Sequence, residues 1–176
     1  KGKVTGKKAG KAVVTAKVKG KTLKCKVTVT KKQAAKKNAK TAGKKNTTSD
    51  ISLQKKVISI VNKNRKKKGL EALTMDEKLM KAAQDRAKEL TKSFSHTRPN
   101  GTSCFTIFEK YKITPMASGE NIAAGQRSAA DVMDSWMNSQ GHKENIMNNK
   151  FKKIGVGLVI VPNDMYSYYW VQMFTD

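Results

Sequence analysis

Hydrophobic positions along this 176-residue chain change their spacing near residue 50. Before that point they alternate. Ala12, Val14, Ala16 and Val18 fall on one side and Thr15 and Lys17 on the other; Leu23, Cys25, Val27 and Val29 repeat the pattern against Lys24, Lys26 and Thr28. A period of two rich in β-branched residues predicts two half-buried strands, and Lys19-Gly20-Lys21 between them predicts a hairpin turn. Gly6 and Gly10 punctuate an earlier strand around Lys3 to Thr5. Two or three strands with one apolar face are not stable alone, so this segment reads as part of a larger module.

From Ser49-Asp50 the spacing becomes helical. Ile51, Leu53, Val57, Ile58, Ile60 and Val61 form a stripe that fades through Asn62–Lys68 and stops at Gly69, a C-terminal cap signal. Thr74-Met75-Asp76-Glu77 has the spacing of a capping box and opens a second helix, with Leu79, Met80, Ala83, Ala87 and Leu90 inward and an end near Ser93. A short helix is expected after Ser103, with Phe105, Phe108 and Tyr111 as its apolar side. Ser128 caps a fourth, with Val132, Met133, Trp136 and Met137 inward. One more helical turn follows Gly141. Ile154–Val161 and Tyr166–Phe174 then read as strands joined at Pro162-Asn163-Asp164. Helices that cluster before strands predict an α+β class with an antiparallel sheet.

Charge sharpens the break. The chain carries 37 Lys plus Arg against 13 Asp plus Glu, a formal net charge of +24. Residues 1–50 hold 17 Lys and one acid (+16), leaving 20 basic and 12 acidic residues (+8) in 51–176. Residues 31–49 contain seven Lys and no large apolar residue, a composition that cannot offset its ordering entropy and predicts a linker, transiently helical around Lys31–Lys40. The organisation expected is therefore 1–30 a partial β module, 31–49 a Lys-rich linker and 50–176 a folded domain. Collagen, coiled-coil and fully disordered chains are excluded by composition. No apolar run reaches the roughly 20 residues that span a bilayer. Cys25 and Cys104, one on each side of the break, are too few for a disulfide scaffold and are expected as free thiols.

Chemistry-bearing residues are sparse. A phosphate-binding Gly-rich loop, paired-Cys zinc motifs, His-Glu-x-x-His and Gly-x-Ser-x-Gly are all missing from the sequence. The two histidines are His96, in an irregular stretch after the second helix, and His142, at a helix start. Between them lies Ser118-Gly119-Glu120-Asn121-Ile122-Ala123-Ala124-Gly125, flanked by glycines and read as a loop. Glu120 has two readings there, an acceptor for backbone N–H groups that shape the loop or a member of a site with the histidines. Asn121 reads as a bracing amide or a ligand contact. Cys104 at a helix N-terminus reads as a buried small hydrophobe, and Ser139 beside His142 is not read as a nucleophile.

In order along the chain, Leu70–Leu79, Phe94-Ser95-His96 with Arg98-Pro99-Asn100-Gly101, Gly119-Glu120-Asn121, Trp136 through Asn145-Ile146, and Ile154-Gly155-Val156-Gly157 with Tyr169–Phe174 resemble the motifs of the CAP superfamily. This superfamily comprises cysteine-rich secretory, antigen 5 and pathogenesis-related proteins, and the likeness is to its short bacterial branch. It spans essentially residues 51–176 and implies an α-β-α sandwich with a central antiparallel sheet and a cleft, usually in a secreted protein. By motif, His96, Glu120 and His142 fill three of the four cleft positions at which two His and two acids converge and some members bind zinc. The fourth position, an acid in many members, is Ser139 here. Glu144 lies about 200° around its helix from His142 and is expected to face solvent. The first 30 residues, through Gly2–Gly6, Gly10–Ala12, Val14-Thr15-Ala16 and Val27-Thr28-Val29, resemble the C-terminal half of a bacterial immunoglobulin-like module, with a signal peptide expected upstream.

The leading expectation is thus a secreted or cell-surface CAP-domain protein with a binding role, partnered by an unidentified protein or cell-wall ligand. His96 and His142 are the expected ligands of a divalent metal such as zinc, and Glu120, Ser139 and Asn121 their cleft neighbours. The alternatives are a zinc-dependent hydrolase of peptide or wall substrates, with Glu120 as its general base, and a binder of anionic wall polymers through the basic N-terminal region. Nucleic acid is not the expected partner, because the basic stretch has no interleaved aromatics. Self-association through the unpaired edges of the N-terminal strands is a further expectation.

Overall fold

The computed structural model describes residues 10–18, 21–29 and 48–176. The chain divides into two units, Lys1–Gly43 and Lys44–Asp176. In the first, β1 (Gly10–Val18) and β2 (Lys21–Val29) pair antiparallel, with Ala12 opposite Val27, Val14 opposite Cys25 and Val18 opposite Lys21. In this register Ala12, Val14 and Ala16 stand opposite Val27, Cys25 and Leu23. The turn residues Lys19-Gly20, the strand expected at Lys3–Thr5 and most of the Lys-rich stretch lie outside the described residues.

The second unit begins with α1 (Thr48–Lys67), which starts two residues inside the stretch read as a linker and is terminated by Gly69 at φ 70°. β3 (Thr74–Met75) precedes α2 (Glu77–Leu90). The cap of α2 is Asp76, whose side chain accepts from the Leu79 N–H, so the capping box expected at Thr74 is replaced by a one-residue Asp cap. Thr74 instead joins the sheet beside Lys153. A short 3₁₀ turn (Cys104–Thr106), capped by Ser103, leads into α3 (Ile107–Tyr111). Then come β4 (Ser118–Ala124), α4 (Ala129–Met137) capped by Ser128, α5 (Gln140–Met147), β5 (Lys153–Ile160) and β6 (Tyr168–Thr175).

The sheet order is β3-β5-β6-β4. β4, β5 and β6 are antiparallel, but β3 runs parallel to β5, so the sheet is mixed rather than wholly antiparallel as expected. Two residues of chain passing from α1 to α2 alongside β5 are enough to add that parallel edge.

Alternation along β5 and β6 separates two cores. Ile154, Val156, Leu158, Trp170 and Phe174 pack with Val57, Ile58 and Val61 of α1, Val132, Met133 and Trp136 of α4, and Ile146 of α5. Tyr169, Val171 and Met173, from the other face, pack with Leu79, Ala82, Ala83, Ala87 and Leu90 of α2 and with Ile107 and Phe108. The result is the α-β-α sandwich, and it explains why neither strand reads as amphipathic: both faces are covered. On the α2 face β5 presents Gly155 and Gly157. A Cβ at Gly157 would lie 2.1 Å from the Ala83 carbonyl oxygen, so the helix backbone rests directly on the strand.

Arg65, near the end of α1, is 1% exposed and spends its guanidinium on carbonyls of Glu71 (2.8 Å), Ile146 (2.8 Å) and Asn148 (2.8 Å). One buried cation thereby ties α1 to the end of α5, satisfying carbonyls that the short helix leaves without intrahelical partners.

Candidate functional site

Gly119-Glu120-Asn121 is a strand, not the loop expected from its flanking glycines: β4 pairs along its whole length with β6, Glu120 opposite Met173 and Asn121 opposite Gln172. Among the described residues β4 is an edge strand of the sheet. Alternation then sends neighbouring side chains into different layers. Glu120 and Ile122 turn to the α2 layer, where Ile122 joins the core; Asn121 and Ala123 turn to the α4–α5 layer.

Glu120 is buried, and its carboxylate is fully engaged. Arg86 Nε donates to Oε2 at 2.9 Å and Arg86 Nη2 reaches Oε1 at 3.4 Å. His96 Nδ1 donates to Oε1 at 2.8 Å. Because a carboxylate facing a guanidinium offers acceptors, the imidazole nitrogen that meets it is the one carrying hydrogen. Glu120 thus accepts from side chains rather than from the backbone N–H groups of a loop. Its bond to His96 holds that imidazole above its ordinary pKa, outweighing burial.

Arg86 is 0% exposed and stands on the inward face of α2 among Ala82, Ala83, Ala87 and Leu90. Its other donors go to Glu89 Oε2 (2.7 Å) and the Ser95 carbonyl (2.9 Å). Glu89 in turn binds Arg98, Nη2 to Oε1 at 2.7 Å, and Arg98 Nη1 reaches Thr106 Oγ1 at 2.9 Å. The segment carrying His96 is therefore fastened at Ser95 and again at Arg98.

His142 sits in the first turn of α5. Its Nδ1 lies 2.8 Å from Ser139 Oγ, and Ser139 is the residue before the helix. Burial lowers the pKa of His142, and the nearby charge of His96 lowers it further. Asn121 Nδ2 donates to the His142 carbonyl (3.0 Å) and to Gln172 Oε1 (3.0 Å), while Asn145 Nδ2 donates to Asn121 Oδ1 (2.8 Å) and to the Glu120 carbonyl (3.2 Å). Asn121 is a brace that seats α5 on β4. The two histidines arrive from opposite layers, His96 on the Glu120 carboxylate and His142 with its carbonyl on Asn121.

A cleft of about 490 Å³ is lined by His96, Ser103, Cys104, Gly119, Glu120 and Asn145, among others, and His142 lies outside that lining. His96, Cys104 and Glu120 bring their ligand-type atoms within 4.8 Å of one another, whereas His142 is outside that cluster. Cys104 is a free, buried thiol; burial, with the Glu120 carboxylate nearby, pushes it up to about 12, the state of an inert small side chain. Arg86 against Glu120 also opposes a cation there, so the nitrogen left for a ligand in this cluster is Nε2 of His96. Glu144 is exposed and pairs with Gln140 (2.6 Å), away from this chemistry.

Reading the sequence missed Arg86, Glu89, Arg98 and Asn145. A signal was available for Arg86: a charged residue at a position that the helical stripe of α2 places inward.

The profile of the cysteine-rich secretory protein (CAP) family matches residues 58–174. The uncharacterized protein YkwD of Bacillus subtilis is 39% identical over 126 residues, 68% of this chain and 49% of that protein, so the chain spans about half its length. An extracellular protein of Bacillus anthracis containing an SCP domain superposes with a TM-score of 0.64 at 25% identity, over 72% of this chain and 41% of that one. An outer surface protein of Borrelia burgdorferi superposes at 0.65 with 27% identity, over 74% and 95%. Among the described residues no helix is long and apolar enough to cross a membrane.

Proposed function

Because this chain belongs to the cysteine-rich secretory protein (CAP) family, we propose that it acts outside the cell as a binding module. In this reading His96 and His142 hold a divalent metal, zinc by donor preference. The observation that carries the metal assignment is the pair of oxygens on the two rings: Glu120 Oε1 and Ser139 Oγ each lie 2.8 Å from an Nδ1. Glu120 on Nδ1 of His96 leaves Nε2 as that ring's ligating nitrogen, the arrangement that orients histidines toward zinc, and Ser139 Oγ lets His142 present Nε2 as well by accepting from its Nδ1. Bound there, zinc supplies a Lewis acid. The binding role is favoured over hydrolysis because Glu120 is buried, with both oxygens already accepting from Arg86 and His96, and a carboxylate paired with a guanidinium is a weak base toward water. The extracellular setting is supported by the Bacillus anthracis and Borrelia burgdorferi proteins, and the partner is an unidentified protein or wall ligand.

Calorimetric titration of zinc into the full chain, the His96→Ala chain and the His142→Ala chain tests this. Micromolar or tighter binding that disappears in both variants is the expected result. No binding to the parent chain, or binding indifferent to both changes, overturns the metal assignment.

The +16 charge of residues 1–50 favours a second role, retention on anionic wall polymer. The β1–β2 hairpin and the motifs around it support an immunoglobulin-like module as its carrier. Wall retention that is unchanged by deleting residues 1–49, across salt concentrations, would refute the polymer role.

A further inference from the structure

We propose that Arg86 is the positioning residue of the candidate cleft, fixing which nitrogen of His96 faces a ligand. The metal part of this inference rests on the reading above; the assignment of the ring nitrogen does not.

A guanidinium is expensive to bury and is kept inside a fold only where its donors are used. Arg86 is 0% exposed, and each of its nitrogens donates to a group that bears on His96. Nη2 donates to the carbonyl of Ser95, the residue just before His96, at 2.9 Å. Nε donates to Oε2 of Glu120, the residue whose Oε1 meets His96 Nδ1. Nη1 donates to Glu89, whose carboxylate grips Arg98 two residues beyond His96. One side chain on a rigid helix therefore sets the backbone entering His96, the carboxylate on its ring and the anchor beyond it.

The chemistry of the fork decides the tautomer. Arginine has five N–H donors and no acceptor, so both Glu120 oxygens that meet it are acceptors. An acceptor at Oε1 selects the imidazole form with hydrogen on Nδ1 and leaves the Nε2 lone pair for the cleft. His142 has no such constraint: Ser139 Oγ can donate or accept, so its tautomer follows whatever binds. The two rings thus have unequal roles, His96 preset and His142 adaptable. A buried ion pair serving only to hold α2 against β4 would place no demand on the tautomer.

Ring ¹⁵N shifts of His96 in the full chain, recorded above its raised pKa so that the ring is neutral, read this directly. The expected result is the Nδ1–H form in the parent chain and loss of that preference in Arg86→Met, with retention in Arg86→Lys, which still presents only donors to Glu120. Zinc affinity in Arg86→Met is expected to fall about 10- to 100-fold, as for other changes to groups that orient metal ligands. An Nε2–H form in the parent chain overturns the proposal and needs no variant to fold. So does a folded Arg86→Met chain that keeps the Nδ1–H form. If the parent chain shows the Nδ1–H form and loses it in Arg86→Met but binds no zinc, positioning stands and the metal assignment falls. If zinc binds both chains alike and the tautomer is unchanged, the reverse holds.

Discussion

Replacing Gly157 by alanine tests how α2 is seated. The added Cβ would lie 2.1 Å from the Ala83 carbonyl oxygen, 2.3 Å from its carbon and 2.7 Å from the Gln84 nitrogen. Ordinary contact begins at 3.4 Å, so the helix must withdraw by 3.4 − 2.1 = 1.3 Å. The obstructing atoms are backbone and cannot rotate aside. A gap of even 0.5–1 Å forfeits about a quarter to a half of each contact across it, and α2 holds Leu79, Ala83, Ala87 and Leu90 against the sheet. Overpacking ordinarily costs about 1–3 kcal/mol, and a clash with backbone belongs at the upper end, about 3 kcal/mol. For a unit of this size that lowers Tm by roughly 10 °C. Both tryptophans, Trp136 and Trp170, are buried in this unit, so urea unfolding followed by their fluorescence in the full chain reports its stability alone. Gly141→Ala is the control: nothing lies within 4 Å of its added Cβ, it occupies a helix, and it should gain about 0.5–1 kcal/mol. A Gly157→Ala chain within 0.5 kcal/mol of the parent would refute the close seating of helix on strand.

Arg65→Met should cost about 3 kcal/mol by the same assay, because it strands the carbonyls of Glu71, Ile146 and Asn148 without a donor; a loss under 1 kcal/mol would mean that water replaces the guanidinium. In proton NMR titrations His96 should titrate above 6.5 and His142 below it, with Glu120→Gln bringing His96 back down. The linked stability runs in opposite directions. His96 contributes below pH 6.5 and loses its contribution as pH rises through its raised value. His142 contributes above 6.5 and loses its contribution as pH falls through its lowered value. A common value for both rings would contradict the unequal partners Glu120 and Ser139. In a Cys25→Ser chain at pH 8, Cys104 should react with a thiol reagent only as fast as the protein unfolds, since its thiol sits at about 12; rapid reaction in the native state would show that the cleft exposes it.

Local rules carried much of this fold. The helical stripes of α1 and α2, the Ser103 and Ser128 caps and the stop at Gly69 follow from periodicity and capping, and the closing strands from short apolar runs bounded by turn residues, all of which depend on residues within a few positions of one another. The motifs holding His96, Glu120 and His142 were equally plain, and so was the outward position of Glu144. What periodicity could not supply was every feature that depends on a residue distant in sequence. Gly119-Glu120-Asn121 looked like a loop because its strand character comes from pairing with β6, some fifty positions later. β3 is too short to have a period, and Thr74 is a strand residue only because Lys153 lies beside it.

The sequence by itself determined the helices and the closing strands, their order, the charge imbalance between the two parts, and His96, Glu120 and His142 as candidates. Tertiary structure alone decided what those residues do to one another. Glu120 read as a loop acceptor or a partner of the histidines until α2 brought Arg86 to it, and Arg86 itself went unmarked until the packed layers buried it. The reason is physical: a side chain's reach, exposure and protonation are set by whichever groups the packed layers bring within about 3 Å, and no local pattern encodes those neighbours.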